Sequence, residues 1–537
     1  MGVNTKSFDN ASDMITFSRA SGAYGFTKVG YGSELVTNGT FDSGTSSWTA
    51  LSSATLSVVS GALRVTNVGA NFGKAEQSLS VTSGNYYKVT FDKVGGTSAN
   101  ANFRVGTTSA GLDIINNVNV ITNASYEYLF QATASTIYLS FVNDGTDANY
   151  NDFDNISVKE VTYNSSAADA TLKLIYHPND VPRIEYNLDG TAKGLLIEEA
   201  RTNLFTNSDA VDSTLTNVQN LTVGNEEVSS GVYQGTWRKF TEDTSTGQHR
   251  LVGSDVVTIS AGSYATFSCM VKRISGTRNV ELVMYSGADS FRASFDLDAE
   301  TTTTTTFGTG VSGIATIENL GDGIFLISMS GIVSSTATTI GAFLRFKNDT
   351  TTNYTGDGTS SIAVTGMQIE QGAFRTSLIK TTGSTVHRAF DLASIPVSKF
   401  GYNQSEGTLF VDFKTPDTAN ANALELGDSA VSTKRYLIRN GLAYYSTAGG
   451  VQVIINYTAS TNNQRAGFAV QSNDAVAVVN GSTVGTDNSV TLFSNPTILG
   501  IGASPYYIAA EKLNGHIKSI KYYPRRLSNA QLVELTS

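Results

Sequence analysis

Apolar and polar residues alternate along most of this chain with a period of two, and almost nowhere with the 3.6-residue period of a helix. Stretches such as YYKVTFDKV from Tyr86, TIYLSFVN from Thr136, ATFSCMVKR from Ala265, GAFLRFKN from Gly341 and GTLFVDFKT from Gly407 put every second side chain on one face. Turn residues separate them: Gly alone occupies 50 positions, and Asn, Ser and Thr fill most of the rest. Short strands at such spacing form antiparallel sandwiches, so the expected fold class is all-β. The best candidate for a helix is the last turn of the chain, with Ser528 as N-cap before NAQLVEL.

At 537 residues the chain has room for three to four domains. An internal repeat divides the first two: VTSGNYYKVTF at Val81 and ISAGSYATFSC at Ile259 share one pattern, and each is followed later by a strand, an acidic or amide-rich loop and a strand. We expect three antiparallel β-sandwiches in series with short connectors. The boundaries are an N-terminal attachment segment over 1–32, a jelly roll over 33–162, a connector over 163–200, a second jelly roll over 201–383 and a third sandwich over 384–537. Pro178 and Pro182 favour an extended path for the connector. The run Thr301 to Thr306 reads as a loop or an edge strand, and Asn480-Gly481 as a tight hairpin turn.

Only 15% of residues are charged, and the net charge is -10. No basic stripe is available to neutralise phosphates, which argues against a nucleic-acid partner. No apolar run approaches the length that spans a bilayer, so membrane insertion is not expected, and the N-terminus has no pattern of a cleaved signal. The single cysteine, Cys269, rules out an intrachain disulfide and sits where a strand faces inward.

Catalytic chemistry finds little support. Glycosidases need two positioned carboxylates, and neither FVDFK around Asp412 nor ALELGD around Glu425 supplies the pairing. His177, His249, His387 and His516 stand far apart, with no metal-ligand spacing and no nucleophile elbow. No catalytic residue is assigned, and the chain is not expected to be an enzyme. Sugar recognition needs flat rings for pyranose C–H faces, and the candidates are Trp48, Tyr86, Tyr87, Tyr150 and Trp237. Each has the alternative of simple core packing.

Three segments interrupt the strand-rich sequence: PRIEYNLDGTAKGLLIEEARTNLF from Pro182, QIEQGAFRTSLIKTTGSTVHRAFD from Gln368, and the tail LNGHIKSIKYYPRRLSNAQLVELTS from Leu513. With the strand pattern they resemble the modular fibre and head-spike proteins of tailed bacteriophages, which string lectin-like sandwiches along one chain. In such proteins a segment like ITFSRASGAYG runs closely into the first of these motifs. Here the whole first sandwich lies between them, so it looks inserted. The third sandwich is similar to laminin-G-like and concanavalin-A-like domains.

The resemblance implies a virion location, a homotrimer, anchorage to other virion proteins through the N-terminal region, and host surface glycans as partners. SELVTNGTFDSGTSSWT and NDGTDANYNDFDNISV resemble the first and last strands of carbohydrate-binding-module jelly rolls. In those modules a structural calcium commonly joins the two ends, which carries over to Asp42, Asp152 and Asp154; the alternative is a capped, solvated strand end. A bacterial surface adhesin or carbohydrate-binding protein is the rival class, and a glycan-depolymerising tailspike a third. An adhesin is expected to carry an export signal or wall anchor, and a tailspike a β-helix period with clustered carboxylates.

Overall fold

In the computed structural model, residues 15–537 are described except 70, 71, 99, 121, 164, 166, 168, 169, 209–216, 229–231, 234, 253–256, 420 and 507–510. Strands account for 58% and helix for 2%, and the sheets are antiparallel, so the fold is all-β. The chain divides into two compact units, one built from residues 28–171 and the other from 1–27 with 172–537. No helix among the described residues is long and apolar enough to cross a membrane.

The smaller unit is a sandwich. One sheet centres on Tyr86–Gly96, flanked by Ala124–Gln131 and Tyr150–Tyr163; the other orders Thr49–Leu51, Gly73–Ser80, Thr136–Asn143, Ala101–Gly106 and Ile115–Asn119. Val89 and Phe91 point inward from the central strand to meet Phe103, Phe141 and Phe153, all nearly or fully buried. Alternation with this register puts one face of each strand in the core.

The larger unit holds two sandwiches with separate cores. The first stacks a sheet containing Thr339–Lys347 and Asn279–Ser286 on a six-stranded sheet ordered Leu221–Val228, Gly235–Glu242, Ser361–Gln371, Ala265–Ser275, Ile324–Ile332 and Val311–Asn319. Cys269 faces this core fully buried, and burial pushes its thiol pKa up. The threonine run is the edge strand Thr301–Phe307, and its neighbour Asp289–Asp296 pairs with it from Asp296↔Thr301 to Ser290↔Phe307.

The second sandwich gathers segments from distant parts of the sequence. Thr16–Ser18 pairs with Leu392–Pro396, and Ala192–Ile197 pairs with both Ile184–Tyr186 and Gly515–Tyr523. The stretch expected as a connector over 163–200 is therefore in large part sheet, and part of the segment 1–32 is too. Leu195 and Ile197 supply the reason: both are buried in this core, and an extended linker would leave them in water. Residues 1–14 of the expected attachment segment lie outside the described residues. Asn480 and Gly481 both have positive φ, as a two-residue hairpin turn requires. The helix Asn529–Thr536 carries a full capping box between Ser528 and Gln531.

Gly194 shows how tightly the pairing is specified. Its φ is +116°, and a Cβ there would collide with the carbonyl oxygen of Ile517. Gly194→Ala is expected to destabilise the larger unit by about 2 kcal/mol, measured by urea unfolding.

Candidate functional site

The chain is poor in charge, yet five charged side chains from the motif segments meet in the dry interior of the larger unit. Asp391 accepts from Arg19 Nη1 at 3.1 Å, from Arg183 Nη2, and from the backbone amide of Glu198 at 2.9 Å. Glu198 accepts from Arg183 Nη1 at 2.8 Å and faces Arg388 Nη1 at 3.2 Å. Arg19, Arg183, Arg388 and Asp391 are each at most 1% exposed. The third guanidinium charge left over by two carboxylates is dispersed onto carbonyls: Arg19 Nη2 donates to His177 O at 3.2 Å, Pro178 O at 2.6 Å and Val181 O at 3.2 Å. Burial together with Arg183 and Arg19 lowers the pKa of His177 to about 3, so its ring stays neutral.

A cavity of about 260 Å³ shares Glu185, Glu198 and Ser377 with this region. Its floor is the outer face of the six-stranded sheet. Because Phe267, Cys269 and Val271 point into the core, Ser268 and Met270 point the other way, joined by Leu326, Ser328, Thr316 and Gln368. Residues 373–378 cross above as a strap tied to the sheet by polar bonds. Ser330 Oγ donates to Ala373 O at 2.7 Å, Gln368 Nε2 donates to Ser377 O at 3.2 Å, and the Ile379 amide donates to Gln368 Oε1 at 2.7 Å. Phe374 of the strap lines the space, with the Arg201 guanidinium 5.0 Å from its ring centre.

Three carboxylates line the cavity, Glu198 of the ionic network and two more, Glu185 and Glu318. Burial pushes the pKa of Glu185 up, but the hydrogen bond and charge of His516 (2.7 Å), the charge of Lys193 and the Phe26 amide (3.0 Å) outweigh it and hold the group at about 2. Glu318 is likewise pushed up by burial and pulled below the usual range by Lys193 at 2.8 Å and Arg375 at 3.7 Å. The site thus offers fixed negative acceptors, a floor that mixes serine, threonine and glutamine with Met270 and Leu326, and the rings of Phe26 and Phe374.

The residues expected from sequence lie elsewhere. Asp42 is exposed and accepts from Thr40 Oγ1 at 2.6 Å; Asp154 accepts from the Asn155 amide at 2.8 Å. Asp152 gives both oxygens to Arg64, at 2.8 Å each. Among the described residues no group of three His, Cys, Asp or Glu is placed to hold a metal ion, so Asp42, Asp152 and Asp154 are not brought together as one cluster. Trp48 and Trp237 are core residues: the first packs on Phe41 and Phe141, and the second is fully buried. Tyr86 and Tyr150 are half-buried; Tyr86 meets Tyr163 edge-on at 5.8 Å, and the Arg64 guanidinium lies 3.4 Å from the Tyr150 ring centre.

The cavity residues carried no comparable signal, because Ser268, Thr316 and Ser328 alternate with core residues as solvent-facing positions do. Glu185, Glu198 and Arg183 sit in a motif that was conspicuous in sequence, but nothing there showed what they contact.

Residues 26–157 match the family described as "Protein of unknown function (DUF642)". No curated protein matches the chain. Among solved structures, one described as "CBM4 structure and function" is 14% identical, covering 23% of this chain and 99% of its own, with a TM-score of 0.19. The tandem CBM22-1-CBM22-2 domain of Paenibacillus barcinonensis Xyn10C is 16% identical over 64% of this chain and 98% of its own, at 0.20. Trypanosoma rangeli sialidase is 11% identical over 90% and 83%, at 0.21. TM-scores this low support no inference about activity.

Proposed function

We propose that this chain is a structural protein of a tailed-phage particle, a fibre, spike or decoration component, and that it binds host surface glycans through the cavity of its larger unit. The observation that carries the binding half is the cavity itself: hydroxyls and fixed carboxylates stand among apolar side chains, with the rings of Phe26 and Phe374 in the lining. Sugars need that combination, since their hydroxyls hydrogen-bond acceptors while their C–H faces rest on apolar surface. Binding is favoured over hydrolysis. Glycoside cleavage calls for a carboxylic acid that keeps its proton, and Glu185, Glu198 and Glu318 are all held below the usual range.

The virion half rests on the motif segments and on what they build. Motifs that link sandwiches in phage fibres here form one buried ionic joint, which suits a part that must hold its domains rigidly. A homotrimer follows from the same resemblance, and closed symmetry would let weak single sites gain avidity. Light scattering at micromolar concentration should give three times the 56.9 kDa chain mass, and a monomer would count against assembly. The test of the whole reading is adsorption. Particles lacking the chain should lose attachment to host cells, and soluble host surface polysaccharide should compete with attachment of complete particles. Unchanged adsorption in both arms would refute it.

A further inference from the structure

The first sandwich of the larger unit has a second outer face, on the sheet opposite the cavity floor. Val280, Leu282 and Met284 point into the core, so Glu281, Val283 and Tyr285 point out. The register sets Arg345 beside Glu281, with Phe343 and Arg292 on either side of Val283, and Arg250 stands next to Arg345 on the following strand. Rings occupy the middle of this face. A Cβ on Gly341 would come within 2.5 Å of Tyr285 Cζ, so the tyrosine ring lies across that glycine, 5.7 Å from the ring centre of Phe343. The Arg250 and Arg345 guanidinium groups stand 5.3 and 5.8 Å from the Phe343 ring centre, and that of Arg292 stands 4.1 Å from Phe307.

On a chain of net charge -10, this face is positive. Arg250, Arg292, Arg345 and Lys347 stand against Glu281 and Asp296. Glu281 is nearly buried and pairs with Arg345, while Asp296 accepts from the Asp298 and Ala299 amides at 3.0 and 2.9 Å. Among the described residues the other three cations bond only neutral groups: Arg250 Nε donates to Gln219 Oε1 at 2.8 Å, Arg292 Nε to Ser290 Oγ at 3.3 Å and Lys347 Nζ to Ser294 Oγ at 3.0 Å. Both arginines are half-buried, and the Nη forks that suit a carboxylate's two oxygens keep no protein acceptor among the described residues. Three strand spacings and a two-residue step put their Cα atoms about 16 Å apart.

We infer that this face is a second binding site, for an oligosaccharide whose sugars carry carboxylates. Two separated guanidinium groups select a ligand with repeated negative charge over a single anion. Tyr285 gives the C–H face of a sugar a flat surface, and the register places the hydroxyls of Ser294, Thr303 and Thr305 alongside. Because Arg345 already neutralises Glu281, the central carboxylate does not oppose the ligand. The cavity lies on the other sheet, so the two sites stand or fall separately.

Calorimetric titration of the full chain with a galacturonic acid hexamer, and with its methyl ester as the uncharged control, tests this. The acid is expected to bind saturably and more weakly as salt rises, with the ester weaker by at least about tenfold. Arg250→Gln and Arg292→Gln are each expected to weaken the acid about tenfold. Their melting should be unchanged, since neither side chain is in an ion pair with a described residue, and Phe374→Ala in the cavity should bind the acid as wild type does. No binding of the acid overturns the proposal, as does equal binding of the ester or wild-type affinity in both arginine variants. So does loss of binding in Phe374→Ala, or equal competition by inorganic phosphate or by a single-stranded oligodeoxynucleotide, the marks of a lone anion site and of an unselective polyanion surface.

Discussion

Replacing Asp391 with alanine is expected to destabilise the larger unit by about 3–5 kcal/mol, enough to leave it largely unfolded at 37 °C if its stability is ordinary. The carboxylate sits between Arg19 and Arg183 and also takes the Glu198 amide, all within a region closed to water. Its loss strands two buried guanidinium groups and an amide, and no solvent is at hand to take its place. Asp391→Asn should fall between wild type and alanine, since an amide can still accept one bond but brings no charge. Calorimetry checks this, and the specific expectation is that the transition of the 28–171 unit keeps its midpoint, because none of the network's members belongs to it.

Acid should separate the two halves of the molecule in a second way. The Glu185 pKa falls from its ordinary value of 4.5 to about 2 in the folded protein. A depressed carboxylate stabilises the fold above its unfolded pKa, and the benefit disappears as pH drops through the folded value. The window is therefore about 4.5 down to about 2, and the stabilisation at stake is about 3 kcal/mol. Glu198 is depressed as well, by Arg388, Arg183 and Ser377 against the upward push of burial, so it adds to the same acid limb. Urea titrations from pH 7 to pH 2.5 should show the larger unit losing stability mainly below pH 4.5. Glu185→Gln should lower its stability at pH 7 and flatten the slope in that window. A variant with the wild-type slope would place the acid sensitivity elsewhere.

The sheets were legible in the sequence because half-buried strands write their burial as alternation: Phe267, Cys269 and Val271 read inward, and they are. The helix was legible for a local reason too, since Ser528 and Gln531 cap it within one turn. Contacts between segments were not. Ala192–Ile197 pairs with a strand more than 300 residues later, and no local pattern encodes that partner. The same limit governs Asp152. An acid near the last strand of a jelly roll invites a cation, but the register places Arg64 directly opposite, so the charge is met from within.

Charge itself held a signal that periodicity missed. In a chain with 15% charged residues, Arg19, Arg183, Glu198, Arg388 and Asp391 all fall within or beside the motif segments, yet a buried ion pair and a solvated one look alike in sequence. The cavity was hidden for the converse reason. Its serines and threonines occupy outward strand positions, and the residues that meet over that face come from distant segments, Phe26, Leu174, Lys193 and His516 as well as the strap over 373–378.

Calorimetric titration of the purified chain with oligosaccharides from the host surface is the most direct test of the central claim. Saturable binding is expected, with Phe374→Ala weakening it roughly tenfold through loss of the ring and with folding unchanged. Absence of binding across the host's surface glycans, or binding that Phe374→Ala leaves intact, would contradict the assignment of the cavity.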